Sequence, residues 1–117
     1  MAVPSIEERK RRFVNLLLES LYESVSFAET LLHFLELRTS LSREDLLRRP
    51  ELFSRELKSL LGEGAKVVER QIIERLCTKL DIDIDEIHED EFPRCLRQII
   101  RIYLEATTPP KNLNRLY

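Results

Sequence analysis

Few residues in this sequence carry chemistry by type alone, and their spacing decides which chemistry is open. His33 sits between Leu32 and Phe34 in a helical run, and His88 follows an acidic stretch. Neither has a serine or cysteine nucleophile beside it, so general-base catalysis has no local partner. Asp81-x-Asp83-x-Asp85 matches the opening of a calcium loop, which takes oxygen ligands from alternate positions. The match then fails. Glu86 stands where that loop needs glycine, and Phe92 where it needs a bidentate glutamate. His88 and Glu89 add donors for an adventitious divalent ion, but without the spacing of a closed zinc site. Gly62-x-Gly64 opening a helix is a weak form of a phosphate cradle, because free amides at a helix start attract anions. The third glycine and the preceding strand of a dinucleotide loop are missing. Cys77 and Cys95 form no Cys-x-x-Cys pair and read as two reduced core thiols, with a disulfide between them as the other option. On this inventory the chain is expected to be non-enzymatic, with no metal and no cofactor.

The remaining chemistry is phosphate contact. Arg9, Lys10, Arg11 and Arg12 form the densest basic cluster, and Arg94, Arg97 and Arg101 form a stripe on the last helical run. Together these seven could grip nucleic acid. Glu7 and Glu8 stand four residues before Arg11 and Arg12 and neutralise part of the first cluster. A net charge of −2 adds no global attraction to a polyanion. No helix-turn-helix signature accompanies the clusters. Nucleic-acid binding is therefore the alternative reading, and a solvated face or a partner contact is the plainer one.

The elements that must position these residues are helices. Of 117 residues only two are glycine, 43% are hydrophobic and 34% are charged, with Leu, Glu and Arg dominant. That is the composition of an all-α protein. The length is about one domain, able to fold without a metal or disulfide. Ser5-Ile6-Glu7-Glu8 is a capping box, and no Gly or Pro follows until Pro50. Val14, Leu17, Leu21, Val25, Ala28, Leu32 and Leu35 recur every three or four residues, which predicts a helix from about 6 to 38. Phe13, Leu18, Phe27 and Leu31 widen its apolar face. Ser20, Ser24 and Ser26 are poor helix formers and mark a kink or break there. Ser42 caps a short turn over 43–48, and Pro50 opens the next helix, which Gly62 stops with a positive φ. A helix over about 64–80 buries Ala65, Val68, Ile72, Leu76 and Leu80, with Val67 on its other side and Arg70 paired with Glu74. Asp81 to Ile87 reads as an extended acidic connector that packs Ile82 and Ile84 on the bundle. A last helix over about 90–106 follows, and the tail 111–117 is loose or docked by Leu113, Leu116 and Tyr117. The spacing Phe27/Leu31, Phe53/Leu57 and Phe92/Leu96 echoes itself, as a duplicated helix pair or any amphipathic helix would.

Glu44-Asp45-Leu46, Pro50-Glu51-Leu52-Phe53, Leu57, Leu60 and Gly62-Glu63-Gly64-Ala65-Lys66-Val67-Val68-Glu69, continuing through Ile72 to Leu76, resemble a family of small archaeal helical output domains, the Nitrosopumilus output-domain type. The resemblance spans about residues 20–81, and its most specific string is the Phe…Leu…Gly-Glu-Gly-Ala run. It implies an archaeal, cytoplasmic interaction module in a signalling chain and assigns no chemistry to any residue.

The reading that results is a single-domain, all-α bundle of four or five helices with a short acidic connector before the last. Its expected role is a non-enzymatic interaction or regulatory module, homodimeric and acting on a protein partner not identified by the sequence. Residues 6–12 are too charged for a secretory signal, and no apolar run approaches the roughly 20 residues that span a bilayer, so no membrane partner is expected. The long first helix and the two-sided 64–80 helix offer more apolar face than a small monomer is expected to cover, which places Leu17, Leu21, Val25, Leu32 and Val67 as candidate interface residues. Gly62 and Gly64 are structural, with Gly64 allowing the helix after it to start close to its neighbours.

Overall fold

A computed structural model describes residues 4–106 of the chain. Six α-helices form the bundle: α1 (Ile6–Ser24), α2 (Ala28–Thr39), α3 (Arg43–Leu47), α4 (Pro50–Leu61), α5 (Gly64–Leu80) and α6 (Phe92–Ala106). One 3-10 turn, Ile84–Glu86, lies in the connector before α6. No strand occurs among the described residues, and no helix in them is long and apolar enough to cross a membrane. The tail expected to be loose or docked, 111–117, lies outside the described residues.

Local signals account for most boundaries. The Ser5 hydroxyl accepts the Glu8 amide at 3.1 Å, and Ser42 accepts that of Asp45 at 3.1 Å, so two helix starts lose an orphan donor each. Pro50 stands in the first turn of α4, where its missing N–H costs nothing. The long first helix does break, at the serines. Ser20 Oγ donates back to the Leu16 carbonyl at 2.8 Å, and Ser24 Oγ to that of Ser20 at 2.6 Å. Such back-bonds loosen a helix. Val25 is then extended, with φ −136° and ψ 134°, which ends α1. The helix expected over 6–38 is thus two, α1 and α2, separated by residues 25–27. This is why six helices stand where four or five were expected.

α1 packs along α5 more extensively than any other helix pair. Their contact is bordered by Lys79, whose Nζ lies 2.8 Å from Glu23 and 3.7 Å from Glu19. Leu17, Leu21, Leu32, Leu35, Leu46, Phe53, Leu57, Ile72, Leu76 and Ile99 are fully enclosed in one continuous core. The Phe53 and Phe92 rings meet at 5.9 Å, and those of Phe13 and Tyr103 at 5.8 Å, which ties α6 to α4 and α1.

The connector differs from expectation in one respect. Ile82 and Ile87 pack against the core, but Ile84 is 43% exposed at the 3-10 turn. The turn is held by a side chain instead. Gln98 Nε2 donates to the Glu86 carbonyl at 2.9 Å, and its Oε1 accepts the His88 amide at 3.1 Å. Arg70 and Glu74 make no ion pair among the described residues, and both are exposed.

The two glycines prove unlike. Gly62 caps α4 at φ +58° and ψ −132°, a conformation close to glycine-only. Gly64 has no positive φ, and a Cβ built there would meet only the Leu61 Cβ, at 3.9 Å, an ordinary contact. The close approach expected at Gly64 is absent: α4 and α5 pack on each other, but no neighbour comes nearer than ordinary contact at this position. Gly62→Ala should therefore lower stability by about 1–3 kcal/mol. Gly64→Ala should raise it by up to about 1 kcal/mol, since alanine loses less chain entropy in a helix. Paired urea titrations would read both.

Candidate interaction surfaces

The structure spends four of the five proposed interface residues on the core. Leu17, Leu21 and Leu32 are at most 1% exposed and Val25 is 8% exposed. The apolar surplus of the first 38 residues is absorbed by the break at Val25. With α2 freed from the line of α1, α5 covers the seam on α1, and α3 packs on α2. Only Val67 is on the surface, at 60% exposed.

The exposed apolar surface lies elsewhere. Phe27, Phe34 and Leu37 are 47%, 53% and 65% exposed. They fall seven and three residues apart, so they form one stripe along the outside of α2 with Thr30 between them. Ala28, Leu31, Leu32 and Leu35 occupy the buried arc of the same helix. α2 is therefore apolar on two sides, and only one is covered. Of the residues that widen the apolar face in sequence, only Phe27 belongs to this stripe; Phe13 and Leu31 are buried. Phe27 also departs from its echoes: Phe53 and Phe92 are buried, and Phe27 is not.

A polar corner fixes α2 in place. The Arg43 guanidinium at the start of α3 lies 2.8 and 3.0 Å from the two Glu29 oxygens, a bidentate contact, and 2.9 Å from Glu36 Oε1. It also donates to Tyr22 Oη at 2.7 Å, and the Arg43 amide donates to Glu36 Oε2 at 3.1 Å. Tyr22 Oη in turn donates to Glu29. One arginine thus joins α1, α2 and α3 across the break. None of these partners is adjacent in sequence, so no local pattern announces the cluster. Arg43 holds the Glu29 carboxyl at about 2, below its ordinary 4.5, and lowers Glu36 as well. A carboxylate with a depressed folded pKa stabilises fully above its unfolded value and loses that contribution as pH falls through the folded one. Stability should hence fall between pH about 4.5 and about 2. Glu29→Gln with Glu36→Gln should flatten that fall in urea midpoints measured against pH.

The basic clusters are only partly brought together. Lys10 from α1 and Arg97 from α6 line one groove of about 340 Å³, joined by Arg48 from the α3–α4 junction. Sequence reasoning had not singled out Arg48. Glu7 lies on the same groove, and Arg97 is paired with Glu51. Arg9 points back to the bundle and donates to the Leu104 carbonyl at 3.4 Å. Arg11, Arg12, Arg94 and Arg101 are exposed and do not line the groove. Of the seven, only Lys10 and Arg97 line this groove.

A second cleft, about 760 Å³, runs between α5 and the connector. At its wall Glu69 is 7% exposed and accepts the Ser54 hydroxyl at 2.6 Å. Cys95 also lines it and donates to the Glu89 carbonyl at 3.0 Å. Both cysteines are free thiols and buried. Burial pushes Cys77 up to about 11 and raises Cys95 too, so neither offers a thiolate at neutral pH. His33 and His88 are exposed. No group of three or more metal-ligating side chains occurs among the described residues. Asp81 caps α5 through its left-handed backbone, and the Asp83 carboxylate accepts the Asp85 amide at 3.0 Å, so one carboxylate of the calcium-like string has local structural work. The Ala65 and Lys66 amides at the start of α5 already donate to the Gly62 and Glu63 carbonyls, at 3.1 and 3.3 Å. No protein-family model matches the chain, no curated protein is similar to it in sequence, and no solved structure matches its fold. The geometry alone carries the functional argument.

Proposed function

We propose that the chain is a non-enzymatic helical interaction module that self-associates as a homodimer through the outer stripe of α2. The observation that carries this reading is the row of Phe27, Phe34 and Leu37, each about half or more exposed on one helix face. Aromatic and leucyl side chains aligned on a rigid helix are the anchors that protein interfaces use. A two-fold pairing sets this patch against its own copy, and an antiparallel arrangement brings opposite helix dipoles together. The Arg43 corner supports the reading, because it presents α2 as a braced element. The patch is small, so the dimer is a weak one in the micromolar range, of the size class of transient contacts.

In this reading the module acts in the cytoplasm, and its kinship is with the archaeal output domains that residues 20–81 resemble. Two buried, protonated thiols and two exposed histidines supply no activated nucleophile, which is the support for a non-enzymatic role. Hydrogen–deuterium exchange at two protein concentrations tests the proposal. Amides of α2 should gain protection at the higher concentration while those of α5 and α6 stay constant. Protection gained anywhere but α2, or nowhere, would remove the stripe as the interface.

A further inference from the structure

The groove between α1, the α3–α4 junction and α6 has features that the dimer does not use, and it shares no residue with the α2 stripe. Its floor is apolar: Phe13 and Val14 from α1, Leu96 and Ile100 from α6, and Pro50 at the head of α4. Its rim carries three cations, Lys10, Arg48 and Arg97, against one carboxylate, Glu7. Lys10 and Arg48 both line it, and neither has an ion-pair or side-chain hydrogen-bond partner among the described residues. Arg97 adds a third positive group, shared with Glu51. An apolar hollow of this size with a few charged groups at its edge is the usual form of a binding pocket.

We infer that this groove receives a short acidic segment of a partner protein, with one or two bulky apolar side chains seated on the floor and flanking Asp or Glu residues set against Lys10 and Arg48. The dimensions favour a peptide. The α1 residues on the groove, Glu7 to Val14, cover two helical turns, which is about 10 Å of wall. That accommodates an anchor or two while the peptide backbone stays in water. A nucleic-acid backbone would set its phosphates over an apolar floor that cannot hydrogen-bond them. A basic segment would meet Lys10 and Arg48 as like charges. Carboxylates are thus the groups whose charge the rim complements, and they steer encounter as well as fix register.

The test is selection of a random 12-residue peptide library against the full-length protein, followed by fluorescence anisotropy on the best synthetic peptide. The expected consensus has bulky apolar residues three or four apart, flanked by Asp or Glu. Lys10→Glu and Arg48→Glu should each weaken the peptide by about five- to tenfold, and added salt should weaken it further. Arg55→Glu, on the outside of α4, should leave it unchanged. Both reversals replace surface side chains, and unchanged melting curves would verify that the variants are folded. Three results would overturn the inference: no enrichment above bait-free controls, a basic or neutral consensus, or an acidic peptide indifferent to both reversals. A DNA or RNA duplex that binds the wild type and is lost in the same two variants would also overturn it, by assigning the cations to phosphate.

Discussion

Phe34→Asp together with Leu37→Asp should leave the bundle folded and turn the proposed dimer into a monomer. Both side chains are more than half exposed, at 53% and 65%, so the monomer core loses little when they are replaced. The stability cost should be about 1 kcal/mol or less, as for most surface substitutions. The effect on association is much larger. Each copy would lose two of its three apolar anchors, and four like charges would meet across the two-fold axis. Like charges in an interface oppose it as strongly as lost contacts do. Self-association should fall beyond detection at concentrations where the wild type pairs. The urea midpoint of the variant, compared with its sedimentation, separates the two effects.

Leu21→Ala should do the reverse. Leu21 is fully buried where α1 meets α5, and truncating a buried leucine costs about 2–5 kcal/mol, from lost transfer free energy and the cavity left behind. A chain of this size has roughly 5–15 kcal/mol in total, so a large part of its stability would go. Leu17→Ala, one turn earlier at 1% exposure, should behave alike. Val67→Ala, at 60% exposure, should stay within about 0.5 kcal/mol. Chemical denaturation of the three variants would show whether the α1 seam is interior, as the structure has it, or an interface between copies.

The contrast between those substitutions explains what the sequence could and could not say. Features with a local cause were legible. Ser5 and Ser42 cap helices because a hydroxyl reaches an amide three residues on. Gly62 ends α4 because its φ is positive. α5 runs from Gly64 to Leu80, the bounds its periodicity suggests. The break between α1 and α2 falls among Ser20, Ser24 and Ser26, where helix propensity is low. What periodicity does not say is which neighbour covers an apolar face. Leu17, Leu21 and Leu32 look the same whether a partner copy or α5 lies against them. Gly64 failed for the related reason that a glycine shows that no side chain is present, and not that another chain stands close. Arg43 with Tyr22, Glu29 and Glu36, and Arg48 with Lys10 and Arg97, are assembled from separate helices, so their chemistry exists only once the bundle has formed. Of the exposed stripe of α2, the sequence reading held only Phe27, as part of a wide apolar face; Phe34 and Leu37 stand outside the spacing that defined that face.

Sedimentation equilibrium of the wild type and of the Phe34→Asp, Leu37→Asp variant, side by side through the micromolar range, tests the central claim most directly. The wild type should move from monomer to dimer mass as concentration rises, while the variant stays at monomer mass throughout. A wild type that remains monomeric, or a variant that still dimerises with unchanged affinity, would contradict the assignment of α2 as the interface.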